Sequence, residues 1–98
     1  MKPCKRIEIV IEYPLQRRMA ELLKKLGAPG YTLIRRASGM GDRGMRRADD
    51  PTGSETNCVF IIACDEPEVV DRLIEGIRPM LSESGGMCIV SDAKWVRH

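Results

Sequence analysis

The residues best equipped for chemistry lie in one short stretch, residues 38–47, which read Ser-Gly-Met-Gly-Asp-Arg-Gly-Met-Arg-Arg. Gly39, Gly41 and Gly44 leave backbone N–H groups open to an anion, and Arg43, Arg46 and Arg47 carry planar forks that match phosphate or carboxylate. The pattern reads as an anion-binding loop, with a solvated loop as the plain alternative. It is not a Walker loop, because no Gly-Lys-Ser/Thr closes it. A second glycine pair, Gly85-Gly86, stands between a helical and a strand-like pattern. Capping the helix is its plain role there.

Catalytic and metal-binding side chains are sparse. The single histidine is the terminal His98, and no Ser or Cys stands beside a base. The carboxylate pairs Asp49-Asp50 and Asp65-Glu66 read as a solvated loop and a helix cap rather than an acid/base dyad. The expectation is a protein that is not an enzyme. Cys4, Cys58, Cys64 and Cys88 include no Cys-x-x-Cys pair, so no metal is expected and free thiols, mostly buried in apolar runs, are. With 16 Lys+Arg against 14 Asp+Glu and a net charge of +2, the chain lacks the basic excess of a dedicated nucleic-acid binder. The longest apolar run, Val59 to Cys64, falls far short of the roughly 20 residues of a membrane span, and no apolar segment follows Met1 to Arg6. A cytoplasmic location is expected.

The positioning elements follow from periodicity. Residues 5–13 alternate, with Ile7, Ile9 and Ile11 on one face and Arg6, Glu8, Val10 and Glu12 on the other, as in a half-buried strand. Pro14 suits a helix start, and Leu15, Met19, Leu22, Leu23 and Leu26 recur at helical spacing until Gly27. A second strand is expected over 31–38. Residues 39–55 have no aliphatic periodicity and read as a long flexible loop, of a length that is usually functional or disordered. Residues 56–64 form a strand apolar on both faces. Asp65 is the expected cap of the next helix, with Glu68 as capping-box partner. Val69, Val70, Leu73, Ile74, Ile77, Met80 and Leu81 supply its apolar stripe, and a last strand over 87–90 leads to a polar tail.

The order β-α-β-β-α-β predicts an α+β, ferredoxin-like fold, a four-stranded antiparallel sheet with both helices on one face, filling residues 1–98 as a single domain. The third strand's second apolar face suggests that the bare side of the sheet packs against copies of the chain. Across such a subunit boundary the glycine-rich end of strand two and the Gly85-Gly86 turn can face each other and grip a phosphorylated ligand.

These residues, in this order, resemble the PII signalling superfamily, most closely its carboxysome-associated, bicarbonate-responsive PII-like branch. The resemblance is carried by Glu12-Tyr13-Pro14, Gly30-Tyr31-Thr32, Gly39-Met40-Gly41, the 59–64 strand, Asp65-Glu66-Pro67 and a shortened Gly85-Gly86 turn. It implies a homotrimer with adenine nucleotide in its inter-subunit clefts, and it makes 39–55 the family's T-loop. It assigns nucleotide binding to Thr32, Gly39, Gly41, Arg43, Arg46, Gly85, Gly86, Met87 and Arg97, with bicarbonate or another anion at Gly41, Arg43, Arg46 and Arg47. Phe60 and Ile62 fall where the family's third strand lines the adenine pocket, a place that core packing explains equally well.

Departures from the family pattern narrow what the resemblance implies. Residues 39–55 contain no tyrosine, which removes uridylylation, and the phosphate-binding turn lacks the family's lysine and extra glycines. ADP or AMP is therefore expected, ahead of ATP or cyclic AMP, with bicarbonate as co-ligand. The implied protein target is a bicarbonate transporter or a carboxysome-linked protein. The rival readings are a small RNA-binding module and a structural ferredoxin-like trimer without nucleotide. One Phe, two Tyr and one Trp are too few for the stacked sheet aromatics of the first rival.

Overall fold

The computed structural model describes residues 1–41, 44–46 and 56–98. The alternating segment forms β1, Lys2–Glu12, which buries Ile7, Ile9 and Ile11. A 3-10 turn, Tyr13–Leu15, takes Pro14 near its start, where a missing N–H costs nothing, and leads into α1, Gln16–Leu26. β2, Thr32–Ala37, follows. Then come a two-stranded ribbon of β3, Gly39–Gly41, and β4, Gly44–Arg46, and after it β5, Asn57–Cys64. α2, Pro67–Ser84, and β6, Met87–Trp95, complete the chain.

The main sheet has the order β2-β5-β1-β6, and every neighbouring pair is antiparallel. This is the expected ferredoxin-like arrangement. β1 is central, with Ile9 opposite Phe60 of β5 on one side and Cys88 of β6 on the other. Directly opposed residues share a face, so the odd positions of β1 and the even positions of β5 meet Met19 and Leu23 of α1 and Leu73 and Ile77 of α2 in one core. Arg72 fastens the helix layer: its Nε donates to the Leu26 carbonyl at 2.8 Å, pairing a group that the end of α1 leaves open.

Four features differ from the sequence reading. β6 runs on to Trp95 and β1 starts at Lys2, because the two pair continuously from Val10 opposite Met87 to Lys2 opposite Trp95. Ladder hydrogen bonds hold polar residues as well as apolar ones, so hydrophobic pattern alone stops both strands short. Part of the expected loop is ribbon, with Gly39 opposite Arg46 and Gly41 opposite Gly44, and the remainder of 39–55 lies outside the described residues. The capping box does not form. Glu66 occupies the N-cap without a side-chain bond, while Asp65, one residue too early, is held by Lys2 at 2.5 Å.

α2 ends at Gly85, whose φ of 70° is left-handed and suits glycine. At Gly86 the constraint is space: a Cβ would stand 2.8 Å from both Ile11 Cγ2 and the Val10 carbonyl oxygen. At Gly76 a Cβ would meet the Leu26 methyls at 2.5 Å, but these end a side chain that can turn away. Gly86→Ala is therefore expected to lower stability by about 1–3 kcal/mol, the usual cost of forcing atoms into packed structure, and Gly76→Ala by less. Urea unfolding of the two variants checks this; a larger loss at Gly76 would contradict it.

Candidate functional site

Antiparallel pairing brings the end of β1, the start of β5, the end of β2 and the start of β6 to one end of the sheet. There Glu12 and Ala37 both lie opposite Asn57, and Met87 lies opposite Val10. The ribbon follows β2 at this end, and the Gly85-Gly86 turn precedes β6 here. Gly39, Gly41 and Arg46 thus lie on the ribbon, and Gly85, Gly86 and Met87 on the turn. The two groups adjoin the outer strands, with β5 and β1 between them, a width of about 14 Å for three inter-strand spacings.

The other sequence-derived residues lie elsewhere. Thr32 opens β2 opposite Ile61, level with Glu8 near the middle of β1 and two residues along that strand from the Val10–Met87 pairing. Arg97 follows β6 at the far end, where its charge acts on Asp65. Arg43 and Arg47 lie outside the described residues.

The turn's amides already have partners. Gly85 N–H and Gly86 N–H both donate to the Leu81 carbonyl, at 2.9 and 3.2 Å, and Gly86 N–H also reaches Ser84 Oγ at 3.2 Å. Helix capping, the plain role of this pair, is what they perform in this structure. A phosphate at the turn has to draw them from Leu81. Met87, 49% exposed, presents its side chain on the same rim.

The sheet face away from the helices carries an apolar patch. Val10, Val59 and Ile61 are half-buried in it, while Ile34 and Ile89 are exposed by 44% and 46%. The Arg6–Glu8 ion pair, at 2.8 Å, borders the patch. Phe60 and Ile62 do not belong to it. They are 0% and 1% exposed in the core, because the register with β1 turns the even positions of β5 toward the helices. Val59 and Ile61 take the open face instead.

A cleft of about 310 Å³ opens on the helix side, lined among others by Lys5, Cys64, Asp65, Val70, Asp71 and Asp92. Three carboxylates make it unsuited to phosphate. Asp65 is paired with Lys2 and Asp92 with Lys5, and these ammonium groups hold both carboxyls below the usual range. Among the described residues no cluster of three or more His, Cys, Asp or Glu could hold a metal ion. All four cysteines are free thiols; burial pushes Cys58 up to about 11 and raises Cys88 as well, which disfavours the thiolate form of both.

Residues 4–98 match the family described as nitrogen regulatory protein P-II. The chain belongs to that family. Among solved structures it is similar to CPII, a nitrogen regulatory PII-like protein from Thiomonas intermedia K12, bound to ADP, AMP and bicarbonate. The identity is 30% over 97% of this chain and 90% of that one, with a TM-score of 0.81. A PII-like signaling protein from Thermus thermophilus is 31% identical over 98% and 92% of the two chains, with a TM-score of 0.76. The B. subtilis GlnK–ATP complex, 18% identical at a TM-score of 0.62 over 95% and 84%, shares the fold. P-II proteins are regulators, and no helix among the described residues is long and apolar enough to cross a membrane.

Sequence reading overlooked the contacts at the base of the P-II loop. Tyr13 N–H donates to the Thr56 carbonyl at 2.7 Å, and the Arg36 guanidinium lies 4.6 Å from the centre of the Tyr13 ring. Tyr13 and Arg36 are 23 positions apart, so periodicity does not link them.

The Lys2–Asp65 pair has a pH signature. A carboxyl whose folded pKa is depressed adds stability above its unfolded value, near 3.9, and loses it as pH falls through the folded one. Asp65 is expected to titrate below 3.9 by carboxyl NMR and to return toward about 3.9 in Lys2→Met. The two proteins' stabilities should converge in acid. An unmoved Asp65 midpoint would remove Lys2 as the cause.

Proposed function

We propose that this protein is a non-enzymatic PII-like regulator that binds ADP or AMP in the clefts of a homotrimer, together with bicarbonate. Through the 39–55 loop it reports inorganic-carbon and energy status to a target such as a bicarbonate transporter or a carboxysome-linked protein. The observation that carries this reading is the likeness to the Thiomonas protein, whose structure holds ADP, AMP and bicarbonate, at 30% identity across 97% of the chain. Another structure of that protein holds ADP, AMP and acetate, a carboxylate of nearly the same shape as bicarbonate.

The geometry supports a site shared between subunits. Ribbon and turn lie at one end of the sheet, and Arg97 lies beyond the other, past the eight residue steps of β1 from Val10 to Lys2 that span about 27 Å. That is too far for one nucleotide to bridge within a chain, whereas a neighbour can offer its Arg97 end to this chain's ribbon and turn. The division proposed here therefore groups the Gly85-Gly86 turn with the loop base of its own chain. The apolar patch of Val10, Ile34, Val59, Ile61 and Ile89 supports association through the open sheet face.

Calorimetric titration with AMP, ADP, ATP and cyclic AMP, each in acetate-free buffer with bicarbonate or chloride at matched pH and ionic strength, tests the reading. ADP and AMP are expected to bind, and bicarbonate to raise their affinity about 5- to 150-fold, the range typical of coupled sites. Arg43→Ala or Arg46→Ala should weaken binding by about 1.5–3 kcal/mol, the worth of a hydrogen bond to a charged group. Light scattering should give three times the 11.0 kDa chain mass. Absence of nucleotide binding, or a stable monomer, would overturn the proposal. Equal affinities in bicarbonate and chloride would overturn its bicarbonate half.

A further inference from the structure

β2 and β5 keep simple register from Thr32 opposite Ile61 to Ile34 opposite Val59, and then Ala37 lies opposite Asn57. β2 advances three residues while β5 advances two, so one extra residue is inserted in β2 as a bulge. Side chains alternate along a strand, and without the insertion Arg36 would share the open face of Thr32 and Ile34. The insertion gives Ala37 the open face, opposite Asn57, and transfers Arg36 to the helix side of the edge. Tyr13 follows β1 as the first residue of the 3-10 turn, and the Arg36 guanidinium comes to rest 4.6 Å from its ring centre.

The same residue holds the other limb of the loop through its backbone. Its N–H donates at 2.7 Å to the carbonyl of Thr56, a residue with no exposed surface. Tyr13 therefore meets the chain just before residue 39 with its ring and just after residue 55 with its amide. We propose that Tyr13 is a positioning residue for the nucleotide site: it fixes the spacing of the two loop limbs through Arg36 and Thr56 and touches no ligand itself. This rests on the nucleotide-binding reading above.

The test uses the full chain carrying Tyr13→Leu, Tyr13→Phe, Arg36→Met and the double variant Tyr13→Leu/Arg36→Met. Amide hydrogen exchange at position 13 without ligand and ADP affinity with bicarbonate are both measured below the melting temperature. A cation over an aromatic face at a partly exposed site corresponds to about a two- to fivefold effect. Tyr13→Leu and Arg36→Met are each expected to speed exchange and weaken ADP binding by about that factor. Tyr13→Phe should stay within about twofold of the parent, and the double variant should lose less than the product of the two single losses, because the shared contact is removed in all three.

Wild-type ADP affinity in Tyr13→Leu would overturn the proposal even if exchange quickens, since the contact would then be structural only. Multiplying losses in the double variant would overturn it too. Should the parent protein bind no ADP, the nucleotide reading fails by that measurement. Exchange in the ligand-free variants then still decides whether Tyr13 joins the two limbs, unchanged rates sinking the idea.

Discussion

The pleat of β1 is the constraint on which the rest of the structure depends. β1 is hydrogen-bonded on both edges, so its alternation of Ile7, Ile9 and Ile11 with Glu8, Val10 and Glu12 sets the faces of β5 and β6 at once. A slip of one residue between the two strands would turn Phe60 and Ile62 to the open face or, with β5 held in place, turn Glu8 into the core. Burying each of these large side chains is worth about 1.5–3 kcal/mol, and an unpaired buried carboxylate costs several more, so the register is strongly specified. Once it holds, the helices have one apolar face to cover, and the opposite face keeps a patch that is apolar without being sealed.

From that register follows a separation of chemistry between the two ends of the sheet. One end collects the glycines: the ribbon after β2 and the turn before β6, where Gly86 packs so closely on Ile11 and Val10 that a side chain has no space. The other end collects charge, with Lys2 and Lys5 on Asp65 and Asp92 and Arg97 close to Asp65. Backbone amides and open glycines suit phosphate, whereas a cleft lined with three carboxylates does not. A P-II chain built this way is polarised along its strands, with glycines and backbone amides at one end and paired charges at the other.

Under the proposed nucleotide-binding reading, the turn before β6 would hold two roles in competition. Gly85 and Gly86 donate to Leu81, closing α2 with two of the bonds that a helix end requires. The same amides are those a phosphate would use. Binding at the turn therefore exchanges a neutral acceptor for a charged one, a trade that gains because charge-assisted bonds are roughly twice as strong.

Much of the fold was legible because it rests on local periodicity. The period of two in residues 5–13, the helical spacing of Leu15, Met19, Leu22 and Leu26, and the stop signals at Gly27 and Gly85 are each written within a few residues. The tertiary structure alone decided what depends on partners distant in sequence. Polar residues such as Ser91 and Lys94 are strand because β1 lies beside them, and Asp65 is an ion-pair partner rather than a cap because Lys2 reaches it first. Phe60 and Ile62 face the core because opposed residues share a face, which no strand states by itself. Arg36 meets Tyr13 only because one extra residue in β2 turns it over, and a bulge is a property of two paired strands, not of either sequence. Residue type and local spacing thus determined the elements and the glycine- and arginine-rich chemistry. Pairing between remote strands decided which of those residues can act together.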